Sequence, residues 1–189
     1  MDAKRLKTVS KFLSKHLRHD PQGLGLSLEP GGWVKVEDVL AGARAKGFAI
    51  SGAELQTVID NNDKKRFALS PDGEKIRANQ GHSVEVDLQL EAKEPPEFLY
   101  HGTADRNVDS ILTTGLDKRN RHHVHLSADT TTALKVGSRH GKPVIFRIDT
   151  TSMRRDGFTF YLSENGVWLV DEVPAKYLRL LEPSESRTT

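Results

Sequence analysis

Arg66-Phe67-Ala68-Leu69-Ser70-Pro71-Asp72-Gly73-Glu74-Lys75-Ile76-Arg77 decides how the first half of this 189-residue chain folds. Ser70-Pro71-Asp72-Gly73 is a turn sequence, and the residues on either side read as the arms of a β-hairpin. Upstream, Ser51 and Glu54 have the S-x-x-E spacing of a capping box. They open a helix whose buried side is Leu55, Val58 and Ile59. A further helix runs from about Val36 to Lys46 and is stopped by Gly47. Leu24, Leu26 and Leu28 alternate as a short strand, and Pro30-Gly31-Gly32 turns the chain into Trp33-Val34. Residues 3–18 form the first helix, with Leu6, Val9, Leu13 and Leu17 on its core face. Pro21 and the glycines after it end that element.

Three helices followed by a β-hairpin is the element order of a winged-helix domain, a fold that often binds nucleic acid but also mediates protein contacts. Residues 84–96 alternate, are acidic and close on Pro95-Pro96. They are read as the boundary between a lobe over 1–94 and a lobe over 95–189. The second lobe carries short strands at Phe98–Tyr100, Val124–Leu126, Val144–Ile148, Phe158–Leu162, Val167–Val170 and Tyr177–Leu181. Two short helices, near 107–114 and 130–139, alternate with them. The class is α+β in two lobes, and the tail after Pro183 is read as frayed.

Composition removes several functions. Hydrophobic residues make up 36% and charged residues 29%, the balance of a soluble globular chain. The longest apolar run, Val167 to Val170, is far short of the ~20 residues of a membrane span. The first 20 residues are charged throughout, so no signal peptide is read and the cytoplasm is the expected location. With no cysteine, disulfides, thiolate nucleophiles and thiolate metal sites are absent. Gly23 and Gly25 begin a G-x-G, but Leu28 stands where a dinucleotide fingerprint needs its third glycine. Gly137 to Lys142 is one residue too short for a P-loop and is followed by Pro143.

The charge is unevenly spread. Residues 1–66 hold 12 Lys/Arg against 8 Asp/Glu, and the first 19 residues hold six against one. Lys4, Lys7, Lys11, Lys15 and Arg18 fall within an arc of about 80° at ~100° per residue, opposite the core face. This stripe is either a solvated helix face or a polyanion footprint. Arg and His concentrate at Arg18-His19, Lys64-Lys65-Arg66, Arg77 to His82 and Arg119 to His125. Planar Arg forks drawn from separate segments suit a phosphate monoester, and histidine beside them moves protons near neutral pH.

In Arg121-His122-His123-Val124-His125-Leu126-Ser127, a strand would put His123 and His125 on one face. Two imidazoles without a third ligand do not make a catalytic zinc site, and no metal is expected. Phe98-Leu99-Tyr100-His101-Gly102-Thr103 reads as a strand entering a polar turn before the helix near Asn107. Gly102 there permits close backbone approach to a ligand.

From Ser10 to about Leu181 the chain resembles the RNA (tRNA) 2'-phosphotransferases, NAD-consuming enzymes that remove an internal RNA 2'-phosphate. The resemblance lies in Ser10 to His19, Gly32-Trp33, Asp63 to Phe67, Ile76 to Ser83, Leu99 to Thr103, Arg121 to Ser127 and Asn165 to Leu169. It implies an N-terminal winged-helix RNA lobe and a C-terminal ADP-ribosyltransferase-like NAD lobe. Arg18, His19, Arg66 and Arg121 match the family's catalytic quartet, and His101, Gly102, Thr103 and Ser127 match its NAD-contacting motifs. Asn107 and Arg139 are further candidates for the dinucleotide's phosphates or ribose. Gln80, Gly81 and His82 match a block to which the resemblance gives no role.

The implied partners are NAD and an RNA bearing an internal 2'-phosphate, with no membrane and a monomeric chain. The implied reaction passes through a 2'-phospho-ADP-ribosylated RNA to nicotinamide and ADP-ribose 1'',2''-cyclic phosphate. Gly166-Val167 stands where many ADP-ribosyltransferases carry a glutamate on the nicotinamide ribose, which fits a reaction that needs that ribose hydroxyl as a nucleophile. Two rival readings are ADP-ribose transfer to nucleic-acid ends and non-catalytic nucleic-acid binding.

Overall fold

Asp2 starts the first helix, its carboxylate accepting the Arg5 backbone N–H at 2.7 Å. In the computed structural model this helix, α1, is Ala3–Arg18. The structure describes residues 1–61 and 65–182; Asp63 and Lys64 of the basic cluster, and the tail from Pro183, lie outside them. Among the described residues the chain is mixed α/β, with six α-helices and several small antiparallel sheets. It divides into two compact units, Met1–Gln89 and Leu90–Thr189.

In the first unit, Val9, Leu13 and Leu17 are fully buried and Leu6 is half-buried, as the helical spacing requires. His16 joins that face, its Nδ1–H donating to the Asp20 carbonyl at 2.9 Å. Lys4, Lys7, Lys11 and Lys15 are exposed. The alternating leucines do not make a strand. Gln22–Leu24 is a 3-10 turn and Gly25 takes a left-handed φ of 70°, which breaks extended geometry. Leu24 and Leu26 are nonetheless buried, so their pattern reports burial and not strand pairing.

A two-residue strand, β1 (Val34–Lys35), leads into α2 (Val36–Ala45), and Gly47 follows it at φ 73°. Helix α3 (Gly52–Asp60) opens with the full capping box, Ser51 Oγ taking the Glu54 N–H and Glu54 taking the Ser51 N–H. Arg5 on α1 also donates from Nε to Glu54 at 2.8 Å. That bond first, and the Ser51 N–H next, hold the Glu54 carboxyl at about 2. The hairpin arms are β2 (Phe67–Leu69) and β3 (Lys75–Ala78). Strand β1 adds to the other side of β3, with Val34 opposite Ile76, so the sheet order is β1-β3-β2.

The second unit takes in residues 90–94 ahead of the predicted boundary. Lys93 N–H donates to the Phe160 carbonyl and Ala92 bridges Tyr161. Its elements are β4 (Phe98–Ala104), α4 (Val108–Thr114), β5 (Leu116–Asp117), β6 (Val124–Leu126), α5 (Thr130–Gly137), β7 (Pro143–Asp149), α6 (Thr150–Arg155), β8 (Tyr161–Leu162), β9 (Trp168–Val170), β10 (Glu172–Val173) and β11 (Leu178–Leu180). The sheets run β11-β7-β4, β6-β9-β8 and β10-β5. Tyr100 and Ser127 exchange backbone hydrogen bonds at 2.9 and 2.8 Å and so join the first two. Leu99, Phe146, Ile148, Met153, Phe160 and Val173 form the centre of the core.

Strand β4 pairs with β7 along its whole length, from Phe98–Asp149 to Ala104–Pro143. His101, Gly102 and Thr103 are therefore strand residues and not the predicted turn. Gly102 is required by packing: a Cβ there would stand 1.7 Å from the Ala133 carbonyl oxygen on α5. Gly137, the last residue of α5, is also tight against β4: a Cβ there would stand 2.9 Å from the Thr103 carbonyl oxygen. The close approach read as a ligand contact is filled by the protein's own helix on this side.

Gly102→Ala must push α5 off β4. We expect a loss of about 3 kcal/mol, the upper end for overpacking, measured by urea unfolding. A loss below about 1 kcal/mol, within the range of ordinary point substitutions, would mean that α5 moves without cost.

Candidate active-site residues

Two groups of predicted residues assemble, one in each unit. In the first, Arg18 is the last residue of α1 and His19 its C-cap. A helix leaves its final carbonyls without intrahelical donors, and the Arg18 carbonyl takes the Ser83 backbone N–H at 2.9 Å. The Ser83 hydroxyl lies 2.9 Å from His19 Nδ1. Gly81, at φ 83°, makes a left-handed bend beside the Arg18 guanidinium, where an added Cβ would be in ordinary contact with Nη1 at 3.6 Å. The guanidinium carbon lies 6.0 Å from the Phe67 ring centre, the outer reach of a cation–π contact.

The same segment reaches Arg66. Asn79 N–H donates to the Arg66 carbonyl at 2.9 Å, and Asn79 Nδ2 donates to the Lys65 carbonyl at 2.6 Å. This secures a bend in which Lys65 has a φ of 41°. His82 is completely buried, with its Nε2 against Gly32. The 79–83 segment is thus a clasp: Asn79 holds the backbone at Arg66, Gly81 turns the chain beside Arg18, His82 anchors and Ser83 holds the end of α1. The sequence shows this block but not its role, because its partners lie up to 65 positions away, from Arg18 to Ser83.

The second group lies at the junction of β4 and β6. The His101 Nδ1–H donates to the His125 carbonyl at 3.2 Å. Arg121 Nη1 donates to His125 Nδ1 at 3.2 Å, so a neutral His125 carries its proton on Nε2. Burial first, and then the nearby Arg121 and Arg119 charges, push the His101 pKa down. Neutral His101, with its proton on Nδ1, presents Nε2 as an acceptor. Ser127 is fixed beside Tyr100 by their paired backbone bonds.

Thr103 is buried, and its Oγ1 accepts Asn107 Nδ2 at 2.9 Å, which ties Asn107 to the strand. Arg139 is exposed in the turn after α5, its backbone N–H donating to the Val136 carbonyl. His123 and His125 do not form one ligand face: β6 begins only at Val124. His123 stands 3.8 Å from Asp171 and edge-on to Tyr161, while His125 faces Arg121. Gly166 takes φ 77° in the hairpin turn before β9, and its N–H donates to the Ser163 carbonyl. His125 as the partner of Arg121 was missed: the contact is made across the bends at 121–123, and no local period reports it.

Known proteins are similar to this chain over almost its whole length. A family profile described as "RNA 2'-phosphotransferase, Tpt1 / KptA family" matches residues 4–172. A protein of Trichormus variabilis named "Probable RNA 2'-phosphotransferase" is 57% identical over 181 residues, covering 96% of this chain and all of the relative. Relatives with the same name from Hahella chejuensis and Streptomyces coelicolor are 56% and 49% identical, over 96% and 97% of this chain and 97% and 100% of their own lengths. The protein is an enzyme of the transferase class. Within that class, it belongs to the RNA 2'-phosphotransferase family. Among the described residues no helix is long and apolar enough to cross a membrane.

Because the folded His101 pKa lies below the ordinary value of 6.5, the unfolded chain binds more protons as pH falls. The His101 contribution to stability is therefore full above pH 6.5 and declines below it. His101 should titrate below its ordinary value by proton NMR. Arg121→Ala should raise the midpoint, and His101→Gln should flatten the acid-side loss of stability. An ordinary His101 titration overturns this assignment.

Proposed function

We propose that this chain removes an internal 2'-phosphate from RNA, with NAD as a co-substrate that is consumed. In this reading the first unit is a winged-helix lobe that binds RNA, and the second unit is an ADP-ribosyltransferase-like lobe that binds NAD. The reading is carried by the clasp at Asn79–Ser83, which collects Arg18, His19 and Arg66 along one segment, in a chain whose family is defined by RNA 2'-phosphate transfer. Two chain segments that share one anchor, the end of α1 and the bend at Arg66, make a preorganised anion site, whereas a solvated basic surface needs no such anchor.

The NAD-facing set is His101, Gly102, Thr103, Asn107, Ser127 and Arg139. It suits a dinucleotide in one specific respect: neutral His101 offers Nε2 as an acceptor, which matches a ribose hydroxyl. Thr103 and Asn107, already hydrogen-bonded to one another, add a polar pair beside it.

Hydrolysis of a phosphate monoester by water is among the slowest uncatalysed reactions. The proposed route divides it in two. The RNA 2'-phosphate oxygen displaces nicotinamide at C1'' of the nicotinamide ribose, which leaves a 2'-phospho-ADP-ribosylated RNA. The ribose O2'' then displaces the RNA 2'-oxygen at phosphorus, giving 2'-hydroxyl RNA and ADP-ribose 1'',2''-cyclic phosphate. The first displacement depends on placing an anion beside an electron-poor carbon. In the second, charge grows on phosphoryl oxygens, where Arg18, Arg66 and Arg121 act, and His19 moves the proton from O2'' to the departing 2'-oxygen.

With labelled NAD and a short 2'-phosphorylated RNA, wild-type protein should release nicotinamide and leave the RNA unlabelled. Persistent label on the RNA would instead mark ADP-ribose transfer as the end point. Arg66→Ala or Arg121→Ala should slow the second step by about 10²- to 10³-fold, so that labelled RNA accumulates. Rapid-quench data that put the entire loss in the first step overturn this division of roles.

The exposed lysines of α1 are assigned to RNA phosphates flanking the reacting nucleotide. Replacing Lys7 and Lys11 by alanine should weaken RNA binding. It should also flatten the plot of log affinity against log salt by about 0.7 to 0.9 per lost contact. An unchanged slope moves the RNA path off this helix.

A further inference from the structure

We propose that Ser83 is a positioning residue for the reaction: its hydroxyl fixes the His19 ring so that the opposite nitrogen, Nε2, meets the reacting oxygens. This rests on the reading of His19 as the proton-transfer group. Ser83 Oγ is 2.9 Å from His19 Nδ1. The residue does not need that contact to stay in place. Its backbone N–H caps the Arg18 carbonyl at 2.9 Å, its neighbour His82 is fully buried, and Gly81 makes the left-handed bend that brings the segment alongside Arg18. The backbone sets the distance, and the hydroxyl sets the orientation of the ring.

The chemistry of the partner matters. In the working tautomer Nδ1–H donates to Ser83 Oγ, and Nε2 carries the lone pair. Nε2 takes the proton from O2'' as that oxygen attacks phosphorus, and returns it to the departing RNA 2'-oxygen. Ser83 Oγ accepts from Nδ1–H throughout, before and after the ring is protonated. A carboxylate in the same position would favour the imidazolium and hold the proton back. A neutral acceptor orients the ring and leaves it able to gain and lose a proton within one step. Both His19 and Ser83 are exposed, so this single hydrogen bond adds little to stability.

The test is single-turnover kinetics with NAD and a short 2'-phosphorylated RNA, on wild type, Ser83→Ala, Ser83→Thr, His19→Ala and the Ser83→Ala/His19→Ala double variant. Ser83→Ala should slow conversion of the ADP-ribosylated intermediate by about tenfold, a part of what a positioned acid–base group supplies. The dependence on NAD and RNA concentration should be unchanged. Ser83→Thr should restore most of the rate. On the His19→Ala background, Ser83→Ala should cost less than about twofold further, because two residues acting as one unit are not additive. Melting temperatures should be the same throughout.

A wild-type rate in Ser83→Ala, or a full further tenfold loss on the His19→Ala background, overturns the proposal. So does a lowered melting temperature with no rescue by threonine, which makes the residue structural. If His19→Ala itself turns over at the wild-type rate, the reading of His19 fails and this inference fails with it, an outcome distinct from failure of Ser83 alone.

Discussion

The end of α1 is a place where the chain must supply a hydrogen-bond donor. The Arg18 carbonyl is among the last of a 16-residue helix and has no donor within it. Its partner is the backbone N–H of Ser83, brought back from beyond the hairpin. Much of the first unit's candidate chemistry follows from that closure. To reach Arg18 the chain must leave β3 at Ala78, and on the way Asn79 secures the Lys65 and Arg66 carbonyls. Cations at Arg18 and Arg66 repel one another when no anion is near. Main-chain hydrogen bonds fix the two stations from which they act without depending on the charge of either.

The second unit meets a different constraint with a different device. Helix α5 must lie almost on the backbone of β4, and the glycines at 102 and 137 remove the side chains that would prevent it. The other edge of β4 meets the end of β6 through Tyr100 and Ser127. His101 is held between these fixed features, and its Nδ1–H is directed at the His125 carbonyl. His125 in turn accepts from Arg121. Two neighbouring imidazoles therefore have assigned tautomers, each set by a partner that can only accept or only donate. The strand pairing that aligns β4 with β7 and β6 with β9 is thus also what decides which ring nitrogens face outward.

Helix α1 and the hairpin were legible because their signals are local. Four apolar residues at helical spacing, a capping box and a Ser-Pro-Asp-Gly turn each act within one or two turns of chain. Gln22–Leu28 was misread because alternation of leucines is also what a buried irregular segment shows, and the left-handed Gly25 decides between them. Helix α6 has six residues, too few for a period, and β5 and β10 are two-residue strands paired across more than fifty positions. The candidate residues were legible as residue types in ordered motifs, but the reasons for their placement were not. The packing reason for a glycine at 102, the Ala133 carbonyl of α5, lies on a distant element that no local pattern names.

The contrast between the two groups bears on the chemistry. Around His101 the structure favours neutral rings: burial and two arginines disfavour its protonation, and the guanidinium of Arg121 needs His125 to keep a lone pair. A neutral, oriented acceptor is suited to holding a sugar hydroxyl and poorly suited to moving protons at neutral pH. His19 sits differently, exposed at a helix end with a hydroxyl as its Nδ1 partner. In the proposed reading, burial and hydrogen-bond partner separate the binding histidines from the proton-transferring one, with the same side chain in both roles.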